Sequence, residues 1–138
     1  MARVVIADSG AITAALSERD EFHDWASAQL HTLRIPLITC DSVFSECFFL
    51  LQREPLALHS LYSLIERGIL QLEFSLKPHI TTAITMMRKY SNLPMSFADA
   101  SLVRMSELHG DSVVFTIDTD FRTYRRNGRQ MIPLIAPW

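Results

Sequence analysis

The chain has 138 residues, 49% of them hydrophobic and 20% charged. That length suits one domain, taken here as residues 1–138, with about two-thirds of the unfolded surface buried, and the composition excludes a disordered, collagen-like or disulfide-built chain. Its 13 Lys and Arg face 15 Asp and Glu for a net charge of −2, which excludes nucleic-acid binding by bulk charge but leaves room for a local basic patch.

Val4–Ala7 is a continuous apolar, β-branched run, the pattern of a strand buried on both faces. Ser9–Leu16 reads as a short helix, and a polar break at Glu18–Glu21 precedes a helix over Phe22–Leu30. Pro36–Cys40 is the second strand, followed by a helix over Ser42–Arg53 whose apolar residues form a wide stripe. Leu56–Arg67 is helical and stops at Gly68. Ile69–Phe74 is a third strand and Pro78–Tyr90 a helix with a well-placed proline. Ser96–His109 is a helix opened by a Ser96-x-x-Asp99 capping box and closed by Gly110. Ser112–Ile117 is the fourth strand, Phe121–Arg126 a short polar helix and Met131–Ile135 the fifth strand. Strands alternating with amphipathic helices predict an α/β fold, a three-layer α/β/α sandwich around a five-stranded, mostly parallel sheet. Two helices in succession, from Pro78 and from Ser96, leave the chain's path through residues 69–95 open.

The two cysteines, Cys40 and Cys47, lie outside any CxxC and read as free thiols in a reducing compartment. Val4–Ala7 ends in Asp8 and is too short for a signal core, and Phe48–Leu51 is too short to span a bilayer. A cytoplasmic protein with no membrane partner is expected.

In a parallel sheet, sites form beyond the carboxyl ends of the strands. Asp8 follows the first strand and Asp118 the fourth. Glu46 lies one turn into the helix after strand two, and Asp99 in the first turn of the helix that feeds strand four. Topology therefore collects four carboxylates on one side of the sheet. Clustered carboxylates repel one another and call for a cation, and ligation by acids alone suits Mg²⁺ or Mn²⁺. Such an ion, without a covalent nucleophile, fits phosphodiester hydrolysis. Each acid also has a local reading. Asp8 could cap a helix, Asp99 fills a capping-box position, and Asp118 and Asp120 suit a turn. Glu46 is the hardest to explain locally, since it sits between Val43 and Leu50 on a largely apolar helix. The hydroxyls of Ser9 and Thr116 flank the acids and are candidates to hold a metal or water.

Arg122, Arg125, Arg126 and Arg129 are a candidate RNA-binding set contacting phosphates just beyond Asp118, and Tyr124 among them offers a ring for stacking on a base. Asp20-x-x-His23 could be a ligand pair but reads more simply as a solvated helix start, and the remaining histidines form no constellation. No phosphate-binding glycine loop or GxSxG elbow is present.

Val-Ile-Ala-Asp8-Ser9-Gly10, Ser45-Glu46, Phe97-Ala98-Asp99-Ala100 and Thr116-x-Asp118-x-Asp120-Phe121 occur in the order of a PIN domain. The similarity spans nearly the whole chain, which most resembles compact bacterial and archaeal PIN proteins, including VapC-type toxins. The resemblance implies a metal-dependent ribonuclease, with Asp8, Glu46, Asp99 and Asp118 as a catalytic, metal-binding quartet for Mg²⁺ or Mn²⁺. Asp120 would be accessory and Thr116 would support the site through its hydroxyl. It further implies a 3′-hydroxyl and a 5′-phosphate as products, a homodimer, and a cognate antitoxin partner whose segment enters the groove. Two other readings stand beside this one. The first is a catalytically inactive PIN-like module that binds RNA or regulates, with a structural metal. The second is a receiver-like phosphoacceptor domain, which the missing acidic neighbour of Asp8 and the absence of a late lysine disfavour.

Overall fold

In a computed structural model, which describes residues 3–138, the apolar run Val4–Ala7 forms β1 and pairs on both sides, with β2 (Leu37–Thr39) and with β4 (Ser112–Phe115). A strand flanked on both edges and covered on both faces can tolerate little but apolar side chains, and Val5, Ile6 and Ala7 are buried. β3 (Leu70–Leu72) extends the sheet beyond β2, and β7 (Leu134–Ile135) extends it beyond β4, giving the order β3-β2-β1-β4-β7 with every pair parallel.

Two crossovers run from β1 toward β3 and carry four helices: α1 (Ser9–Leu16), α2 (His23–Thr32), α3 (Asp41–Leu51) and α4 (Pro55–Glu66). α1 packs against the other three, its buried Ala11, Ala14 and Ala15 allowing close approach. The return from β3 to β4 goes the other way along the sheet. Its helices, α5 (Ile80–Lys89) and α6 (Phe97–Leu108), pack on each other and form the opposite layer, as right-handed crossovers require. The chain's path through residues 69–95 is thus β3, a 3₁₀ turn at Lys77–His79 and α5, which leads into α6. Gly68 ends α4 at φ +72°, with its N–H donating to Ile65 O and the N–H of Ile69 to Leu64 O, the left-handed stop its position after Arg67 predicts.

The last quarter departs from expectation. Instead of a helix over Phe121–Arg126, the chain makes a 3₁₀ turn at Thr119–Arg122 and then a hairpin, β5 (Arg125–Arg126) against β6 (Gln130–Met131). Asn127 (φ 52°) and Gly128 (φ 80°) turn it, a pairing of residues that tolerate positive φ and favour such turns. The fifth strand expected over Met131–Ile135 is correspondingly split. Met131 belongs to the hairpin, Leu134–Ile135 to the main sheet, and Pro133 between them has no N–H to give either ladder. Its carbonyl accepts from the N–H of Val114.

Candidate active site

β1 and β4 lie side by side, and the crossovers leave them in opposite directions. Between their carboxyl ends is therefore the point where an open α/β sheet forms a crevice. The register pairs Ala7 with Phe115, so one residue later Asp8 and Thr116 stand abreast. Asp8 continues the strand, its N–H donating to Phe115 O, and its carboxylate starts α1 by accepting from the N–H of Ser9 at 2.8 Å. The second oxygen, Oδ2, accepts from the Thr116 hydroxyl at 2.7 Å. That same hydroxyl oxygen accepts from the N–H of Asp118 at 2.9 Å, and Asp118 Oδ1 in turn caps the 3₁₀ turn by accepting from the N–H of Asp120. One threonine thus fixes both Asp8 and the backbone of Asp118.

Asp99 arrives from the other layer. Ser96 caps α6 by accepting from the N–H of Asp99 at 3.0 Å, which sets the carboxylate in the first turn. Its Oδ2 accepts from the hydroxyl of Tyr124 at 3.0 Å. Glu46, one turn into α3, is joined to this group through Ser9, whose hydroxyl donates to Glu46 Oε1. Contrary to the expectation drawn from its apolar neighbours, Glu46 is on an exposed part of α3, with Leu50 half exposed beside it. The stripe that faces the core runs instead through Val43, Cys47 and Leu51.

The charges of this group act on one another. Burial pushes the Asp8 carboxyl up to about 7, the nearby charges of Asp99 and Asp118 add to the rise, and the bonds from Thr116 and Ser9 oppose it. Burial also raises Asp99, with Asp118 adding and Tyr124 opposing. Asp120 is raised by desolvation and by Asp118. The Cys47 thiol is pushed up to about 12 by burial and by the charges of Asp8 and Glu46, which favours its protonated form. The ion pairs among the described residues, Arg3–Asp111 and Arg104–Glu107, involve none of these acids. Asp8, Asp99 and Asp118 are thus a mutually repelling trio without a basic partner. Their donors, carboxylate and hydroxyl oxygens, match a hard cation. Among the described residues, though, no three His, Cys, Asp or Glu side chains already converge as a ligand set.

Other candidates lie elsewhere. Asp20 and His23 do not form a pair of ligands, since Asp20 accepts from the N–H of Phe22 and His23 Nδ1 meets Ala14 O at 2.8 Å. Arg125 donates to the carbonyls of Arg122, Thr123 and Tyr124. Arg126 reaches Ser106 O and Gly110 O at the far end of α6 from Asp99. Arg122 stacks over the Trp138 ring, and Arg129 is exposed beside the hairpin turn. Tyr124 cannot stack on a base as expected, because it is wholly buried and turned toward Asp99. This partnership is the one sequence reasoning missed. Its sole trace was the three-residue spacing of Phe121 and Tyr124, which gives them one face of a turn.

A sequence model of the PIN domain family matches residues 5–127. The chain belongs to the PIN domain family. No curated protein matches this PIN domain by sequence. Among solved structures it is similar to Mycobacterium tuberculosis VapC20, described as a sarcin–ricin-loop-cleaving toxin, with a TM-score of 0.73 at 20% identity over 86% of this chain and 93% of that one. That likeness extends the three-layer PIN fold across nearly the full length of both proteins.

Proposed function

We propose that this PIN domain is an Mg²⁺- or Mn²⁺-dependent endoribonuclease and the toxin of a toxin–antitoxin pair. The observation that carries the reading is the trio Asp8, Asp99 and Asp118, gathered at the β1–β4 crevice with no basic partner. Carboxylates so held favour a cation, and these three with Glu46 would hold it. When bound, such an ion lowers the pKa of water and offsets charge on a phosphodiester under attack. The chain's own residues prepare the place. Thr116 holds the Asp8 carboxylate and the Asp118 backbone in fixed relation, and Ser9 ties Glu46 to the start of α1. Asp120 is accessory, in the first turn of the 3₁₀ segment that Asp118 caps, its own N–H donating to Asp118 Oδ1. Arg122 and Arg129 are exposed and offer contacts to RNA phosphates, while Arg125 and Arg126 are engaged with backbone carbonyls.

The likeness to a sarcin–ricin-loop-cleaving toxin supports the toxin reading, which carries a cytoplasmic location, a cognate antitoxin and a homodimer. The exposed side chains of Phe49, Leu50 and Leu56 on α3 and α4 offer apolar surface to a protein partner. The test is cleavage of single-stranded RNA by the purified protein with Mn²⁺ or with chelator. The expected result is metal-dependent cleavage leaving a 3′-hydroxyl and a 5′-phosphate, lost in Asp8→Asn and Asp99→Asn. The second reading, an RNA-binding module with a structural metal, draws on the lack of a converged ligand set and on Asp8 having both oxygens hydrogen-bonded. RNA binding and metal binding without cleavage would decide for it.

A further inference from the structure

Tyr124 is the largest fully buried side chain, and its ring is packed edge-on between Tyr90 and Phe121, at 5.1 and 5.2 Å between centroids. The turn that carries it is fastened on both sides. The N–H of Arg125 donates to the Tyr90 hydroxyl at 2.9 Å, and the Arg125 guanidinium holds the carbonyls of Arg122, Thr123 and Tyr124. Lys89 lies over the Tyr90 ring and donates to Gly128 O, which ties α5 to the hairpin. Phe121 fills a neighbouring place in this cluster with no hydroxyl at all, so packing alone does not require one at position 124. A phenol placed there without a partner costs free energy. Its partner is Asp99 Oδ2, to which it donates at 3.0 Å.

We propose that Tyr124 is a positioning residue for the metal site. It donates from a rigid aromatic cluster to one oxygen of Asp99 and so fixes the carboxylate that α6 brings to the acids on β1 and β4. The inference rests on Asp99 being a metal ligand, as in the function proposed above. Partners that orient ligands commonly contribute about 10- to 100-fold in metal affinity.

The experiment is calorimetric Mn²⁺ titration of the full chain, in wild type, Tyr124→Phe and Tyr90→Phe, each checked for cooperative unfolding. Tyr90→Phe removes a second hydroxyl from the same cluster, one that accepts from the backbone N–H of Arg125 and does not meet Asp99. Tyr124→Phe is expected to weaken Mn²⁺ binding about 10- to 100-fold, and Tyr90→Phe, which loosens the turn without touching Asp99, is expected to weaken it less. The double variant Asp99→Asn/Tyr124→Phe should bind no more weakly than Asp99→Asn alone. 4-Aminophenylalanine at position 124, which restores a donor, should recover the affinity, and it replaces Tyr124→Phe as the informative variant if the latter does not fold. Wild-type affinity in Tyr124→Phe, or equal weakening in Tyr90→Phe, overturns the positioning role. Failure of the wild type to bind Mn²⁺ overturns the metal reading itself, and with it this inference.

Discussion

Asp8 and Glu46 stand on either side of Ser9, yet they are held in different ways. Asp8 is buried between the two central strands, with one oxygen on the N–H of Ser9 and the other on Thr116. Glu46 stands exposed on α3, and its one hydrogen-bond partner among the described residues is the Ser9 hydroxyl. The inner acid is placed by strand register before any ligand arrives. The outer one is held by that single contact on an exposed helix face, so less of its rotamer freedom is spent before binding. An active site can thus be built with a rigid floor and an adaptable rim, and the two parts should respond differently to the same insult.

The sharpest way to break this contrast is by isosteric substitution. Asp8→Asn is expected to lower RNA cleavage about 10³-fold or more, about 4 kcal/mol in the barrier, while Glu46→Gln loses on the order of 10-fold, about 1.4 kcal/mol. Equal losses in single-turnover assays would remove the distinction.

Titration sharpens it next. The Asp8 carboxyl is raised to about 7 from 3.8, so between those values the folded chain binds a proton that the unfolded chain does not. Without metal, stability should therefore be full below about pH 4 and fall as pH rises through 7, by about 4 kcal/mol on complete ionisation. Urea unfolding at pH 5 and pH 8 spans about two pH units of that range and should read about 3 kcal/mol of the fall. Mn²⁺ should reverse it, and Glu46→Gln should leave it unchanged.

A third test presses on the floor from behind. A Cβ on Gly10 would lie 3.0 Å from Ile117 Cγ1 and 3.3 Å from Cδ1, next to Asp118. Gly10→Ala gains about 1 kcal/mol of helix propensity and loses about 1–3 kcal/mol to overpacking. Melting should move little, and cleavage should fall about 10-fold as Ile117 displaces the Asp118 turn. The smallest effect is at the rim: Arg129→Ala should weaken RNA binding uniformly across sequences and reduce the salt slope by about 1. Arg126→Ala should instead lower stability and leave that slope unchanged, since its guanidinium holds Ser106 O and Gly110 O.

Much of this was legible in the chain. The bounds expected for β1 and α1 are those observed, because a β-branched run broken by an acid, then a Ser-Gly start, permits few alternatives. Strand-then-helix alternation was enough to bring Asp8, Asp99 and Asp118 to one end of the sheet. The C-terminal segment was not legible for the opposite reason. Its arginines suit a solvated helix, and only the Asn127-Gly128 pair and Pro133, each acting through backbone geometry, divert it into a hairpin and a split strand. The exposure of Glu46 was hidden because an apolar helix face need not be a buried one: Phe49 and Leu50 beside it are exposed as well. Tyr124 was misread since a tyrosine among arginines has the same local composition whether it faces RNA or the core.

The hydrogen bond between Thr116 and Asp8 joins residues 108 positions apart. At about 5–20 residues per second, that separation is on the order of 5–20 s of synthesis. Until Thr116 has left the ribosome, Asp8 lacks the donor to its Oδ2 and β1 lacks its pairing with β4. The nascent chain therefore spends most of its synthesis without an assembled acidic centre.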